Sequence, residues 1–339
     1  MKKIIKVVEK EKTRKRRYKR GKRKMKKSFN LFIKLNSKIA IIIILFLLFI
    51  CKIKYKNISS KMSSEIKYKN ISSTKVGLCI ICKEENLYIK EFIEHYKNLG
   101  YNHIFIYDNN NVDGEKIEDV FQKEIDEEFI SIINYRGIGK RPQIKAYANC
   151  YKKNNKNYNW LSFFDTDEFL EIKPKGIKIQ RFLSNERYKY CQNIKFNWLI
   201  YSDNDKLYYE NKPVQKRFKT ALYEHISNKH IKSTVRGNLT TNYWKVAINP
   251  HTALTNYNCC SSSGKQISAS SPYNIPYDYK YGKLKHYSTK SIEEYIKKIR
   301  KGNPNNDSRV IKKMIHKFYL INKKTKEKSD IFKKEFKIF

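Results

Sequence analysis

The sequence predicts an α/β fold built on one mostly parallel, open sheet. Short apolar runs alternate with stretches of helical spacing from residue 76 onward. Polar and acidic residues gather directly after three of those runs, where an open parallel sheet presents its carboxyl ends to a ligand. With 339 residues, 14% of them aromatic, the chain can bury the core such a sheet needs.

Residues 1–38 hold 18 Lys/Arg against Glu9 and Glu11 and show no apolar periodicity, which makes them a basic tail without fixed structure. Ile39 to Cys51, IAIIIILFLLFIC, is a run of 13 uncharged apolar residues between Lys38 and Lys52. As a helix it reaches about 20 Å, and snorkelling lysines extend it toward a bilayer core of roughly 30 Å. No small-residue cleavage site follows, so it reads as a transmembrane signal anchor. The basic flank keeps the N-terminus cytosolic and sends the bulk of the chain across the membrane. In a eukaryote that places the larger domain in the Golgi or ER lumen. Residues 52–75 form a stem in which IKYKNISS occurs at 53–60 and again at 66–73. The N-x-S/T sequons at Asn57, Asn70 and Asn238 fit a secretory lumen.

The apolar run Val76 to Cys82 is the first strand. Helical spacing at Ile89, Phe92, Ile93, Tyr96 and Leu99 ends at Gly100, a C-cap. His103 to Tyr107 is a second strand, 115–122 a helix, and Phe129 to Tyr135 a third strand. Pro142 starts a helix reaching about Asn154, and Trp160 to Phe164 is the fourth strand. Further on, Arg181 to Asn185 ends a short helix, Ile194 to Tyr201 is a strand carrying Trp198, and short strand-like runs fill 229–256. Ser291-x-x-Glu294 is a capping box opening a helix to about Arg300, which leaves Lys285-His286-Tyr287 as the loop or strand before it. One domain therefore spans 76–302, and 303–339 is a Lys-rich helical extension.

The chemistry concentrates in Trp160 to Glu171, WLSFFDTDEFLE. A buried strand running into Asp165, Asp167 and Glu168 needs compensation, because unpaired buried carboxylates are costly. On an extended chain Asp165 and Asp167 point the same way and can share a divalent cation; oxygen ligands suit Mg²⁺ or Mn²⁺, which leave positions open for phosphates. Asp108, at the end of the second strand, suits a ribose hydroxyl. No Gly-rich phosphate loop occurs in the chain. The seven cysteines are scattered, and Cys79-x-x-Cys82 reads as buried strand thiols. A net charge of +41 invites a polyanion partner, yet the basic residues lack aromatic interleaving at any motif spacing, and no nucleic-acid partner is expected.

Five segments, in order, resemble glycosyltransferase family 92 and its family 2-like relatives: CIICKEENLYIKEFIEHYKNLGYNHIFIYDNNNVDG (79–114), PQIKAYANC (142–150), WLSFFDTDEFL (160–170), NWLIYSDND (197–205) and KHYSTKSIEEYIKKIRKG (285–302). Glu84 stands where the family usually has Asn, and Asn110-Asn111-Val112 replaces a small Gly-Ser pair. The resemblance implies a GT-A (Rossmann-like) enzyme. It would move a hexose, galactose being the expected one, from a UDP-sugar to a glycan or glycoconjugate acceptor, with inversion. By position it implies Asp165 and Asp167 on Mn²⁺ or Mg²⁺ and the donor diphosphate, Asp108 on the nucleoside, Lys83 and Glu85 as nucleotide contacts, and His286 closing over diphosphate and metal. Inversion needs a base for the acceptor hydroxyl, and Asp203, Asp205 and Glu168 remain open for it. The segment 257–283 is an acceptor-side flap on this reading. The competing expectations are a membrane-anchored basic binding protein and a family-like protein without turnover.

Overall fold

The computed structural model describes residues 74–239, 249–252, 257–302 and 307–337. The basic tail, the apolar run 39–51 and the stem to residue 73 lie outside them. Among the described residues no helix is long and apolar enough to cross a membrane.

β1 (Val76–Cys82) pairs in parallel with β2 (His103–Asp108) on one side and β4 (Trp160–Phe163) on the other, and β2 pairs in parallel with β3 (Ile130–Asn134). These runs are apolar throughout because both faces are covered. Val76, Leu78, Ile80 and Cys82 enter one core with Ile89, Phe92 and Tyr96 of α1 (Asn86–Leu99). Gly100 closes that helix in the left-handed conformation, φ 97°. The helix expected over 115–122 is instead a 3₁₀ turn at Glu118–Val120 followed by α2 (Gln122–Asp126). Ile117 and Phe121 are buried there, too short an apolar stripe to hold a longer helix. The alternate β1 residue Cys79 faces the second core, with Ala146, Tyr147, Cys150 and Tyr151 of α3 (Pro142–Asn154).

The second half makes the sheet mixed rather than mostly parallel. It adds β5 (Glu168–Ile172), α4 (Ile179–Leu183), β6 (Asn193–Ile200), α5 (Val214–Arg217), β7 (Ile231–Arg236), β8 (Cys259–Ser261), β9 (Gln266–Ile267) and β10 (Gly282–His286). The order is β3-β2-β1-β4-β7-β6-β10-β5, with β8 on β6 and β9 on β8. β7 is antiparallel to both β4 and β6, and β10 is antiparallel to β5. The chain thus leaves β4 in mid-sheet and re-enters at the far edge as β5, and Asp165 to Asp167 is the link between them.

Ser291 and Glu294 form the expected capping box on α6 (Ile292–Gly302): the Glu294 carboxylate accepts Ser291 N at 3.1 Å and the serine hydroxyl at 2.6 Å. The C-terminal segment is not an appendage. α7 (Ser308–Ile321) and α8 (Lys326–Phe336) bury Ile311, Phe318 and Phe332 against Ile292, Tyr295 and Ile299 of α6.

Cys79–Cys150 ties β1 to α3, and Cys191–Cys260 ties the entry to β6 to β8. Of the two cysteines expected as strand thiols, Cys82 is a buried thiol and Cys79 is bridged. Strand alternation turns them to opposite faces, and only Cys79 faces α3. Cys79→Ser/Cys150→Ser opens a loop with a sequence separation of 71. It should cost about 4 kcal/mol on a chain-entropy estimate, read as a lower urea midpoint without reductant; reductant should lower the parent's midpoint further, because it also opens Cys191–Cys260.

Candidate active site

Asp165, Thr166 and Asp167 turn the chain from β4 to β5. Glu168 N donates to Asp165 O at 3.0 Å, and the Glu168 carboxylate accepts Asp165 N at 2.8 Å. The register of β5 and β10 sets His286 opposite Glu168, and Tyr287 N donates to Asp167 O at 3.0 Å. Sheet pairing therefore carries the closing motif to the acidic turn, with His286 Nε2 3.3 Å from Asp167 Oδ1. From α6, Lys298 Nζ reaches Asp167 Oδ2 at 3.0 Å and Lys301 Nζ reaches Glu85 Oε1 at 2.5 Å. A cavity of about 320 Å³ lies between them, lined by Glu85, Asp167, Lys290, Lys297, Lys298 and Lys301 among others.

Asp165 faces a different cation. Its Oδ1 accepts from Lys232 Nζ at 2.7 Å and Gln143 Nε2 at 2.6 Å. Lys232 is fully buried and stands 3.9 Å from Glu168 Oε2. Burial pushes the Glu168 carboxyl well above its ordinary range, against the pull of Lys232. Burial acts on Asp165 too, but Lys232 outweighs it and holds this carboxyl below the ordinary value. Burial is likewise overcome at Asp167, where Lys298 and His286 hold the group well below the carboxylate range.

The donor set can be tested against a divalent ion. Two neighbouring ligands on an octahedral ion, each at about 2.1 Å, stand roughly 3 Å apart. The Asp167–His286 pair at 3.3 Å matches; the carboxylate suits either Mn²⁺ or Mg²⁺, and the imidazole favours the transition ion Mn²⁺ over the harder Mg²⁺. Among the described residues no group of three or more His, Cys, Asp or Glu could hold a metal ion. An ion on this pair would keep most of its shell for phosphate oxygens. The link is a turn rather than an extended chain, and in it Asp165 and Asp167 each pair with a lysine of their own.

Asp108 is 2% exposed. Arg136 donates twice to its Oδ2, at 2.8 and 2.7 Å, and Asn110 N to its Oδ1 at 2.9 Å. The same guanidinium donates to the carbonyls of Asn111, Val112 and Glu115, so Arg136 and Asp108 together brace that loop. Lys83 is half-buried at the end of β1. Glu84 adopts φ 51°, a conformation Asn tolerates better, which is the physical content of its departure from the family pattern. Asp203 and Asp205 both accept from Lys328 Nζ of α8 at 2.7 Å, and Lys328 is 1% exposed. They anchor the C-terminal helices.

Lys232, Lys298, Lys301 and Gln143 are contacts to which motif reading gave no role, and of them only Lys232 lies outside the five matched segments. Glu294, Lys298 and Lys301 are spaced by four and three, one face of a helix, and that spacing was open to inspection. Lys232 has only a weak signal, a lysine inside a strand of small and branched residues.

The profile of glycosyltransferase family 92 matches residues 74–323. The chain belongs to glycosyltransferase family 92. The family 92 match runs past the end of α6 and takes in α7, in line with the shared packing of those helices. Among curated proteins, a family 92 glycosyltransferase of Ricinus communis is 28% identical over 109 residues, 32% of this chain and 19% of that protein. One from Arabidopsis thaliana is 33% identical over 98 residues, 27% of this chain and 16% of that protein. The aligned stretch thus spans less than a fifth of either family 92 relative. Among solved structures, a mannosyltransferase of Pyrobaculum calidifontis in complex with GDP-Man and Mn²⁺ overlaps 42% of this chain and 42% of its own, at 8% identity and a TM-score of 0.28. TarS of S. aureus overlaps 73% of this chain and 43% of its own, at 8% identity and a TM-score of 0.33. Overlaps this loose carry no weight for the family 92 fold.

Proposed function

We propose that this chain transfers a hexose, galactose being the expected one, from a UDP-sugar to a glycan acceptor, with inversion and with help from Mn²⁺ or Mg²⁺. The supporting observation is the Asp167–His286 pair at 3.3 Å, whose Asp167 lines a cavity edged by lysines. A bound divalent ion would supply Lewis-acid neutralisation of the departing diphosphate. Asp167 and His286 would hold it. Lys298, Lys301 and Lys290 add positive charge around the same diphosphate, and Glu85 fixes Lys301. Lys232 keeps Asp165 ionised and in place.

None of the three carboxylates considered as base is well prepared for it. Glu168 is fully buried behind Lys232, and Asp203 and Asp205 are committed to Lys328. Incubating the full chain with UDP-galactose and Mn²⁺ should release UDP. No release from any nucleotide sugar, together with salt-sensitive binding to anionic polymers, would favour the binding-protein alternative.

Two disulfides support an oxidising compartment, and with it the lumenal orientation behind a signal anchor. Asn238 is exposed at the end of β7, within reach of a glycosylating enzyme. Asn238→Gln should remove one endoglycosidase-sensitive mobility step from protein made in a secretory system. Digestion of the folded domain by protease added to the cytosolic side would overturn the orientation.

A further inference from the structure

Away from the lysine-lined cavity, His286 begins a run of rings. Its centroid lies 4.1 Å from that of Trp198, which stacks on His230 at 4.7 Å and 24°. His230 meets Tyr273 edge-on at 4.9 Å, and Tyr273 is 42% exposed. His251 packs edge-on to Trp198 at 5.0 Å. The rings lead from the candidate metal pair outward to solvent. Trp198 Nε1 and His251 Nδ1 are buried without a hydrogen-bond partner, a state that costs free energy until a ligand hydroxyl supplies one.

Tyr273 also lines a cavity of about 480 Å³, together with Ser261, Ser263, Gln266, Ser271 and Tyr277. That volume lies within the roughly 300–1,000 Å³ of small-molecule sites. Its wall is fixed rather than a flap. Lys195, fully buried in β6, donates to the carbonyls of Ser268, Ala269 and Ser271 at 2.9, 2.8 and 3.1 Å. Asn197 and Asn274 exchange side-chain bonds, Asn274 Nδ2 to Asn197 Oδ1 at 2.8 Å and Asn197 Nδ2 to Asn274 O at 3.0 Å.

We infer that this ring track and the cavity at its outer end hold the acceptor as an oligosaccharide, with its terminal sugar on Trp198 beside His286 and its next units over Tyr273. Ring faces suit the C–H faces of pyranoses, and serine and glutamine side chains suit their hydroxyls. A nucleobase could stack on the same rings. None of the track's rings lines the cavity edged by Lys290, Lys297, Lys298 and Lys301, and at the outer end of the track Lys229 Nζ already lies over the Tyr273 ring, 4.6 Å from its centroid.

The inference rests on the transferase reading, and one assay separates the two. The full chain is given UDP-[³H]galactose and Mn²⁺ with methyl glycosides of galactose, glucose, mannose and N-acetylglucosamine, and in parallel with oligosaccharides released from glycoproteins. Label should pass to oligosaccharides at least tenfold better than to methyl glycosides. Tyr273→Ala should collapse that ratio severalfold through KM for the oligosaccharide, with the KM for donor measured alongside. Tyr208→Ala, an exposed tyrosine on another loop, should keep the ratio. Equal use of methyl glycosides, a ratio untouched by Tyr273→Ala, or donor hydrolysis with no labelled glycan would each overturn the acceptor track. Absence of any UDP release would instead overturn the transferase reading.

Discussion

Asp167→Asn should lower UDP release from UDP-galactose by roughly a thousandfold, the equivalent of about 4 kcal/mol of barrier. Asp167 is the residue where several demands meet. It faces His286 at 3.3 Å and Lys298 at 3.0 Å, and both keep it ionised against the cost of burial. The amide preserves shape but removes the charge that would hold a divalent ion. The loss should therefore appear in turnover, and in a raised Mn²⁺ requirement, with thermal stability close to the parent. His286→Ala should act in the same direction. Metal-independent turnover equal to the parent in both variants would remove the pair from the chemistry.

Arg217→Ala should destabilise the domain by about 3–5 kcal/mol, the range found when one partner of a buried ion pair is removed. Arg217 and Glu294 meet through two bonds, at 2.7 and 2.8 Å, and both side chains are 1% exposed. Without the guanidinium, Glu294 is left buried with only hydroxyls and an amide, from Ser291 and Tyr88, to answer its charge, at the first turn of the helix that carries Lys298 and Lys301. Urea unfolding gives the size, and replacing both partners with apolar residues should recover much of the loss. The pair also has a pH signature. Burial raises the Glu294 carboxyl, but Arg217 and Ser291 outweigh that and hold it below its ordinary value. A depressed folded-state value means stability that is present above the ordinary carboxylate range and lost as pH falls through the folded value. Arg217→Ala should flatten that acid-side loss.

The parallel half of the sheet was legible because β1, β2 and β4 are apolar on both faces and strand-length runs of that kind have few alternatives. The Gly100 cap, the Pro142 start and the Ser291–Glu294 box were legible because each is a local rule. β5 was hidden because its first residue, Glu168, reads as part of an acidic turn, although the fold buries it completely. β7 was only a vague run, since its inward Lys232 breaks the apolar pattern for the sake of Asp165. In the site, motif order pointed to Asp167 and His286, and the β5–β10 register brings them together. The engagement of Asp108 by Arg136 and of Asp203 by Lys328 depends on partners 28 and 125 residues away, which no local pattern encodes.

The most direct test is crystallographic: crystals of the protein soaked with UDP and Mn²⁺, with anomalous scattering collected at the manganese edge. The expected result is a peak bonded to both the Asp167 carboxylate and His286 Nε2, with UDP phosphate oxygens completing its shell and Lys298 turned toward the diphosphate. UDP and manganese bound together at a site remote from that pair would contradict it.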